Sequence, residues 1–387
     1  MREGWGIVNI GEACEILDNK RKPITKKDRI EGDYPYYGAT GILSYVEGYI
    51  FDEKLVLLGE DGAKWESGDR SAFIINGKTW VNNHAHVLRP NRKVLIDEWL
   101  VYNLNFQNLM TYVSGMTVPK LNQGNMKKIQ ISVPQIEEQK EIVSILDDAF
   151  ASIDKAKANI ERNIENAKEL FQSKLNEIFS QTGKGWENKT LIDICKFIDY
   201  RGRTPKKTDN GVKLITAKNV RMGYLKNNPE EFIDIDEYDN WMTRGIPEKG
   251  DVLFTTEAPL ANVALLNTSE KIALAQRIIT LCPDRSLLSG EYLCYCLQSK
   301  PIQKKIHDKG TGATVTGIKS KLLKKIEVQI NSLKEQQKIV NLLDTLNNLT
   351  QSSISNYEKE LDNLEELKKS ILQKAFSGEL TNKSVAA

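Results

Sequence analysis

The feature that most constrains how this chain can fold is that half of it recurs in the other half. Trp5 and Cys14 stand nine residues apart with Ile10 and Ile16 around them, and Trp186 and Cys195 repeat that spacing with Leu191 and Phe197, at an offset of 181. Further on, Gly115, Thr117, Val118, Lys127, Lys128 and Ile129 recur as Gly312, Thr314, Val315, Lys324, Lys325 and Ile326, at an offset of 197. That offset continues without a gap from Glu138, Gln139, Ile142, Val143, Leu146 and Asp147 to Glu335, Gln336, Ile339, Val340, Leu343 and Asp344, and reaches Phe179-Ser180 and Phe376-Ser377. The stretches 20–95 and 200–288 look unrelated. A period of half the chain implies one frame used twice around different inserts, not a stack of short repeats. The length of 387 residues agrees, since it exceeds one ordinary core and suits two.

The shared frame predicts a long helix in each half, near 135–179 and 333–376, free of proline and glycine. In the first, Ile142, Leu146, Ala149, Ile153, Ala156 and Ile160 follow a four-three spacing; in the second, Ile339, Leu343, Leu346, Tyr357, Leu361, Leu364 and Ile371 lie near one stripe. One seam per helix implies one partner helix, so the two are expected to pair with each other. Ser332 and Glu335 form a capping-box pattern at the second start. The inserts read as β-rich, with short runs at 54–58, 71–75, 81–88, 213–216, 251–255 and 272–281 between Gly, Asn, Asp and Pro turns. A helical stretch, 98–113 or 291–307, then closes each. The expected fold is α+β: two β-rich domains separated by two long helices that pair as an antiparallel coiled coil, with pseudo-two-fold internal duplication. The predicted segments are 1–133, 134–181, 182–330 and 331–387.

Charge is uneven although the net value is only +2. Residues 19–29 carry six Lys or Arg against one Asp, while 201–226 and 299–325 each carry eight against one Asp. Such clusters suit neutralisation of a phosphate backbone, although any one of them also suits a solvated surface. Catalysis finds little support. There is no GxxxxGK[S/T] loop for ATP, and Asn228-Pro229-Glu230 is not the Asp/Asn-Pro-Pro-aromatic tetrad of an amino-methyltransferase. Pro247-Glu248-Lys249 echoes nuclease metal chemistry only faintly and reads as a turn. His84 and His86 are the sole close histidine pair and read as strand or loop residues, so neither cofactor nor metal is expected. Five cysteines without a CxxC spacing fit a reducing cytosol, and no apolar span or leader argues for a membrane or export, so a cytoplasmic protein is predicted.

Three sets of residues carry a family resemblance. Tyr37-Gly38-Ala39-Thr40-Gly41-Ile42 with Leu57 to Ala63 (LLGEDGA) forms the first. Arg201-Gly202-Arg203-Thr204-Pro205, Gly250 to Phe254 and Ala275-Gln276-Arg277 form the second, and the EQ-x-x-IV helix starts at Glu138 and Glu335 the third. On these the chain resembles the specificity subunit of a type I restriction–modification system over nearly its whole length. One departure is Asn331, where the family usually carries proline as Pro134 does here; capping by Ser332 is expected to substitute. The resemblance implies two target recognition domains on double-stranded DNA, two DNA adenine methyltransferase (modification) subunits docked on the long helices, and translocase-nuclease (restriction) subunits attached through them.

Antiparallel helices would act as a ruler, holding two half-sites of three to five base pairs roughly one helical turn, about 34 Å, apart. The two inserts differ, so the target should be asymmetric. Lys20, Arg21, Lys22 and Lys120 in the first half, and Lys206, Lys207, Lys218, Lys319 and Lys321 in the second, are the candidate phosphate contacts. For base edges the candidates are Glu60 and Asp61 toward cytosine, Asn82 and Asn83 toward adenine, and Arg201, Arg203, Asn219, Gln276 and Arg277 toward purines. Glu60-Asp61-Gly62 also reads as a plain turn, Asn82-Asn83 as a strand end, and Gln276-Arg277 as part of an internal hydrogen-bond network. Two rival functions stand beside the DNA reader: a coiled-coil scaffold whose end domains bind proteins, and a nuclease, which Mg²⁺-dependent cutting by the purified chain would establish.

Overall fold

A computed structural model of the chain describes residues 4–115, 117–181, 183, 185–202, 204–312 and 316–381. The chain forms two compact units, Met1–Ile160 with Lys359–Ala387, and Glu161–Glu358. No described helix is long and apolar enough to cross a membrane.

In the first unit, strands β1 (Gly6–Asn9), β2 (Cys14–Ile16), β3 (Tyr34–Gly38), β4 (Gly41–Val46), β5 (Phe51–Asp52), β6 (Leu55–Gly59), β7 (Ala72–Ile75), β8 (Lys78–Val81), β9 (Ala85–Pro90) and β10 (Gln130–Val133) follow in order. They make two four-stranded sheets, β2–β9–β6–β7 and β4–β3–β8–β5, and a separate β1–β10 pair. Four consecutive residues of β6, Leu55 to Leu58, are fully buried. A half-exposed strand would alternate; this one is covered on both faces. Val56 and Leu58 pack with Leu88, Trp99 and Leu100 on the helix side, while Leu55 and Leu57 pack with Phe51, Phe73, Val81 and Val87 toward the second sheet. Each such side chain contributes roughly 2 kcal/mol of burial.

The second unit repeats this plan. Its strands are β11 (Glu187–Thr190), β12 (Cys195–Asp199), β13 (Val212–Ile215), β14 (Phe232–Ile233), β15 (Val252–Thr255), β16 (Val263–Leu265), β17 (Ile272–Leu274), β18 (Ile278–Pro283) and β19 (Glu327–Ile330). Sheets β12–β18–β15–β16 and β14–β13–β17 accompany a β11–β19 pair. Val252 and Phe254 face the helices, and Leu253 faces the other sheet. The closing stretch differs from the single helix expected at 291–307: it is Gly290–Gln298 followed by Lys300–Asp308. Pro301 lies in the first turn of the later helix, where its missing N–H costs nothing, so the chain restarts there instead of continuing.

The long helices are Ile136–Phe179 and Leu333–Ser377. Ser332 Oγ accepts from the Glu335 N–H (3.4 Å) at the second start. The first helix begins in the first unit's core with Ile142, Val143 and Leu146 and ends in the second unit's core with Leu175, Ile178 and Phe179. The second helix runs the other way, from Val340 and Leu343 in the second core to Ala375, with Ile371, Leu372 and Phe376, in the first. Within the first unit Thr381 meets Glu138, Lys368 lies 4.8 Å from the Phe150 ring, and Glu365 pairs with Lys157. One number rises as the other falls, so the helices pair antiparallel.

The repeated EQ motif has a structural task. Gln139 Oε1 accepts from the Ile96 N–H (3.0 Å) while its Nε2 donates to the carbonyls of Val94 (2.8 Å) and Pro134 (2.9 Å). Gln336 does the same with the Ser289 N–H (2.9 Å) and the carbonyls of Leu287 and Asn331 (both 2.8 Å). Both glutamines are fully buried, and each amide joins a long helix to the domain helix before it.

Candidate nucleic-acid interface

Two apolar runs that read as single strands in the sequence, 81–88 and 272–281, are broken, and broken at corresponding places. In the first unit β8 ends at Val81 and β9 starts at Ala85; in the second β17 ends at Leu274 and β18 starts at Ile278. Asn82 makes the first break: its N–H donates to the Tyr37 carbonyl (3.0 Å) and its side chain accepts from the His84 N–H (2.8 Å). In the second break Arg277 has φ +73°, left-handed backbone that costs a non-glycine residue about 1 kcal/mol or more.

One set of backbone hydrogen bonds holds both loops. The Glu60 N–H donates to the His84 carbonyl (2.8 Å), and the Thr256 N–H to that of Arg277 (2.9 Å). Leu121 donates to Glu60 (2.8 Å) and Ile318 to Thr256 (2.9 Å), while Ser114 with Lys120, and Thr311 with Gly317, exchange bonds in both directions. Asp61 and Glu257 form the isolated bridges to Lys120 and Gly317. Positions 60, 61, 84 and 120 of one unit thus correspond to 256, 257, 277 and 317 of the other.

The side chains on this frame differ. In the first unit Glu60 is buried and accepts from Arg21 Nη1 (2.5 Å) and Lys120 Nζ (2.9 Å). Burial alone would raise its pKa, but those two cations outweigh it and hold the carboxyl below its usual range. Arg21 also donates to the carbonyls of Asn83 and Ala85, so it braces the loop. Both candidates therefore face inward here: the Arg21 guanidinium is taken up by the Glu60 carboxylate and the loop carbonyls, and Glu60 is buried. Asp61 lies at the surface, 2.5 Å from His84 Nδ1, on a turn that Gly62 closes with φ +68°. Asn83, Lys20 and Lys22 are exposed, whereas Asn82 is buried and makes the turn.

Asp18, Glu60 and His86 are the one acidic-histidine group among the described residues close enough to hold a metal. Its donors are already engaged. His86 is fully buried, with Nδ1 2.6 Å from Asp18 and Nε2 2.7 Å from the Leu121 carbonyl, and Glu60 is held by Arg21. The set does not fit a cation. His84 and His86 point to opposite sides, one exposed and one in the core.

In the second unit Arg201, Gln276, Arg277 and Lys319 line one polar cleft of about 280 Å³ together with Glu257 and Thr256. Arg201 is held bidentately by Asp199 (2.8 and 2.7 Å), and Arg277 Nε lies 3.0 Å from Glu257. Lys206, Lys218 and Lys321 are exposed, and Lys207 pairs with Glu231 at 2.8 Å. Asn219, a candidate for base edges in the sequence, is taken up by its own loop in this structure. It is fully buried, its oxygen accepts from Thr216, and its NH₂ donates to the carbonyls of Lys226 and Pro229 (3.0 and 2.8 Å). Arg203 lies outside the described residues. Glu257 and His84, which no sequence motif singles out, stand on the same backbone frame as Asp61 and Arg277.

Comparisons with known proteins agree with the duplicated plan. The family described as type I restriction modification DNA specificity domain matches twice, at residues 2–166 and 183–363. A Haemophilus influenzae protein carrying a type I restriction enzyme specificity-subunit name is 27% identical, over 89% of this chain and 88% of its own length. The type I restriction enzyme MjaVIII specificity subunit of Methanocaldococcus jannaschii is 22% identical over 99% and 94%. Among solved structures, a chain from a study of assembly and conformational transition in the type I R-M system superposes with a TM-score of 0.76 at 19% identity, covering 98% of this chain and 99% of that one. The HsdS subunit of Thermoanaerobacter tengcongensis follows at 0.57 and 19% identity, covering 98% of each.

Proposed function

Because the chain belongs to the type I restriction modification DNA specificity family, we propose that it is the DNA-recognition subunit of a type I restriction–modification complex, with no chemistry of its own, that reads an asymmetric two-part target in cytoplasmic DNA. The observation that carries this reading is the frame built twice with different side chains: Asp61, His84 and Lys120 in one unit, Glu257, Arg277 and Gly317 in the other. Equal frames suit equal approaches to a duplex; unequal side chains suit unequal half-sites. The exposed lysines, Lys20, Lys22, Lys206, Lys218, Lys319 and Lys321, supply phosphate contacts that set register, with Lys120 and Lys207 tied to carboxylates nearby. The long helices fix the unread gap between half-sites and offer their outer faces to two methyltransferase subunits, through which the restriction subunits attach.

Co-expression with the cognate modification subunit, followed by single-molecule sequencing of host DNA for methyladenine, tests this. The expected result is one motif of two different half-sites with a constant gap. A stable complex with an active methyltransferase that yields no motif would overturn it in favour of a scaffold.

A further inference from the structure

The shared frame carries one side-chain pair that recurs in kind but not in identity. Beyond β6 the carboxylate of Asp61 meets His84 at 2.5 Å, and beyond β15 that of Glu257 meets Arg277 at 3.0 Å. The acids are 196 residues apart and the bases 193, neither being the 197 of the flanking repeat, so only the backbone bonds reveal the correspondence. Packing does not require the pairs: side-chain exposure is 22% for Asp61, 50% for His84, 42% for Glu257 and 49% for Arg277. Exposed ion pairs add little stability. The second unit nevertheless holds Arg277 in left-handed backbone to keep a guanidinium there, and strain at an exposed position points to a use outside packing.

We propose that this carboxylate–donor pair is the base-reading element of each domain and faces a G·C base pair, the Arg277 guanidinium donating to guanine O6 and N7, the His84 ring N–H that Asp61 leaves free donating to one of them, and the carboxylate accepting from cytosine N4. The proposal rests on the DNA-reading function above and names the residues that perform it. In the major groove a G·C pair presents two acceptors beside a donor; an N–H donor beside a carboxylate is the complement of that edge. Against A·T the carboxylate would meet the thymine O4 acceptor, so the same pair rejects the wrong base as well as accepting the right one. In the free protein acid and base satisfy each other, and neither waits unpaired. The surroundings set the flanking preference. Lys120 lies 3.8 Å from Asp61, whereas the corresponding Gly317 leaves the second unit's cleft open beside Gln276.

The test uses the full chain in complex with its modification subunit and the methyladenine motif as readout. The variants are Asp61→Asn and His84→Gln in the first unit, and Glu257→Gln and Arg277→Asn in the second. Asparagine tolerates left-handed backbone, so Arg277→Asn removes the guanidinium without adding strain. Each second-unit variant is expected to make one G·C position degenerate in one half-site, with discrimination falling roughly ten- to hundredfold, while the other half-site stays intact; first-unit variants do the reverse. A wild-type two-part motif that persists unchanged in all four variants would overturn the pair while leaving the DNA-reading function standing. Uniform loss of methylation with an unaltered motif would also overturn it, by making the pair internal. A wild type with no motif would remove both readings.

Discussion

At Asp18 four groups converge on one buried carboxylate: His86 Nδ1 at 2.6 Å, the Val87 N–H at 2.9 Å, Gln123 Nε2 at 3.0 Å and Arg21 Nη2 at 3.4 Å. Burial by itself would raise the Asp18 pKa, yet the hydrogen bonds and the charge of His86 prevail and hold it below the ordinary 3.8. Glu60, next to it, is likewise held below its ordinary 4.5. A lowered folded-state pKa means the unfolded chain takes up protons first, so the stability these groups contribute is complete above the ordinary values and fades as pH falls through the folded ones. Between about pH 6 and about pH 3 the urea midpoint of the first unit's transition should fall, and Asp18→Asn should flatten part of that fall. At neutral pH the same variant should cost about 2 kcal/mol, because a charge-assisted acceptor to His86 is replaced by a neutral one. An acid limb identical in wild type and Asp18→Asn would mean that the loop behind Asp61 and His84 is braced by something else.

Among the elements, those whose cause is local were legible in the sequence and those whose cause is distant were not. The long helices declared themselves through apolar spacing and through a repeat with one offset, and Gln139 and Gln336 stood in a shared motif even though their task, joining helix to helix, needed coordinates. The strand runs at 81–88 and 272–281 concealed their breaks, because the backbone bonds that hold the broken loops, from residue 60 or 256 and, onto that residue, from 121 or 318, come from far off in sequence. The acids at 60 and 61 are adjacent and chemically alike; strand direction turns one toward Arg21 in the interior and the other to the surface. Asn219 reads as a polar base contact until its neighbours are seen to occupy its whole amide. The helices also carry a dimensional prediction. Removing four residues from each exposed middle shortens the pair by about 6 Å, close to one full turn, so the apolar stripe keeps its facing. The gap between half-sites in the methylated motif should then shrink by roughly two base pairs, and a gap of unchanged length would rule out the helices as its measure.

In the whole molecule each unit is completed by the far end of a helix that began in the other. Phe376 packs on Trp99 (5.0 Å between ring centroids) and stacks on Phe106 (4.7 Å), and Phe179 packs on Tyr292 (5.2 Å). Phe179 and Phe376 occupy corresponding positions in the repeat, as do Leu175 and Leu372. A fragment of residues 1–181 therefore lacks the end that covers Trp99 and Phe106, yet carries at its own C-terminus a phenylalanine and a leucine of the same kind and spacing. Two such fragments can exchange helix ends, each supplying Phe179 where the intact chain supplies Phe376, and the exchange closes on itself as a two-fold dimer. Sedimentation should show the fragment as a dimer at micromolar concentration. Two identical first units would then read two inverted copies of one half-site, so with a modification subunit the methylated motif should change from asymmetric to palindromic. A monomeric fragment that exposes Trp99 to quenchers would show that Phe179 cannot substitute for Phe376, and the duplication would then reach the backbone of the helices but not the packing of their ends.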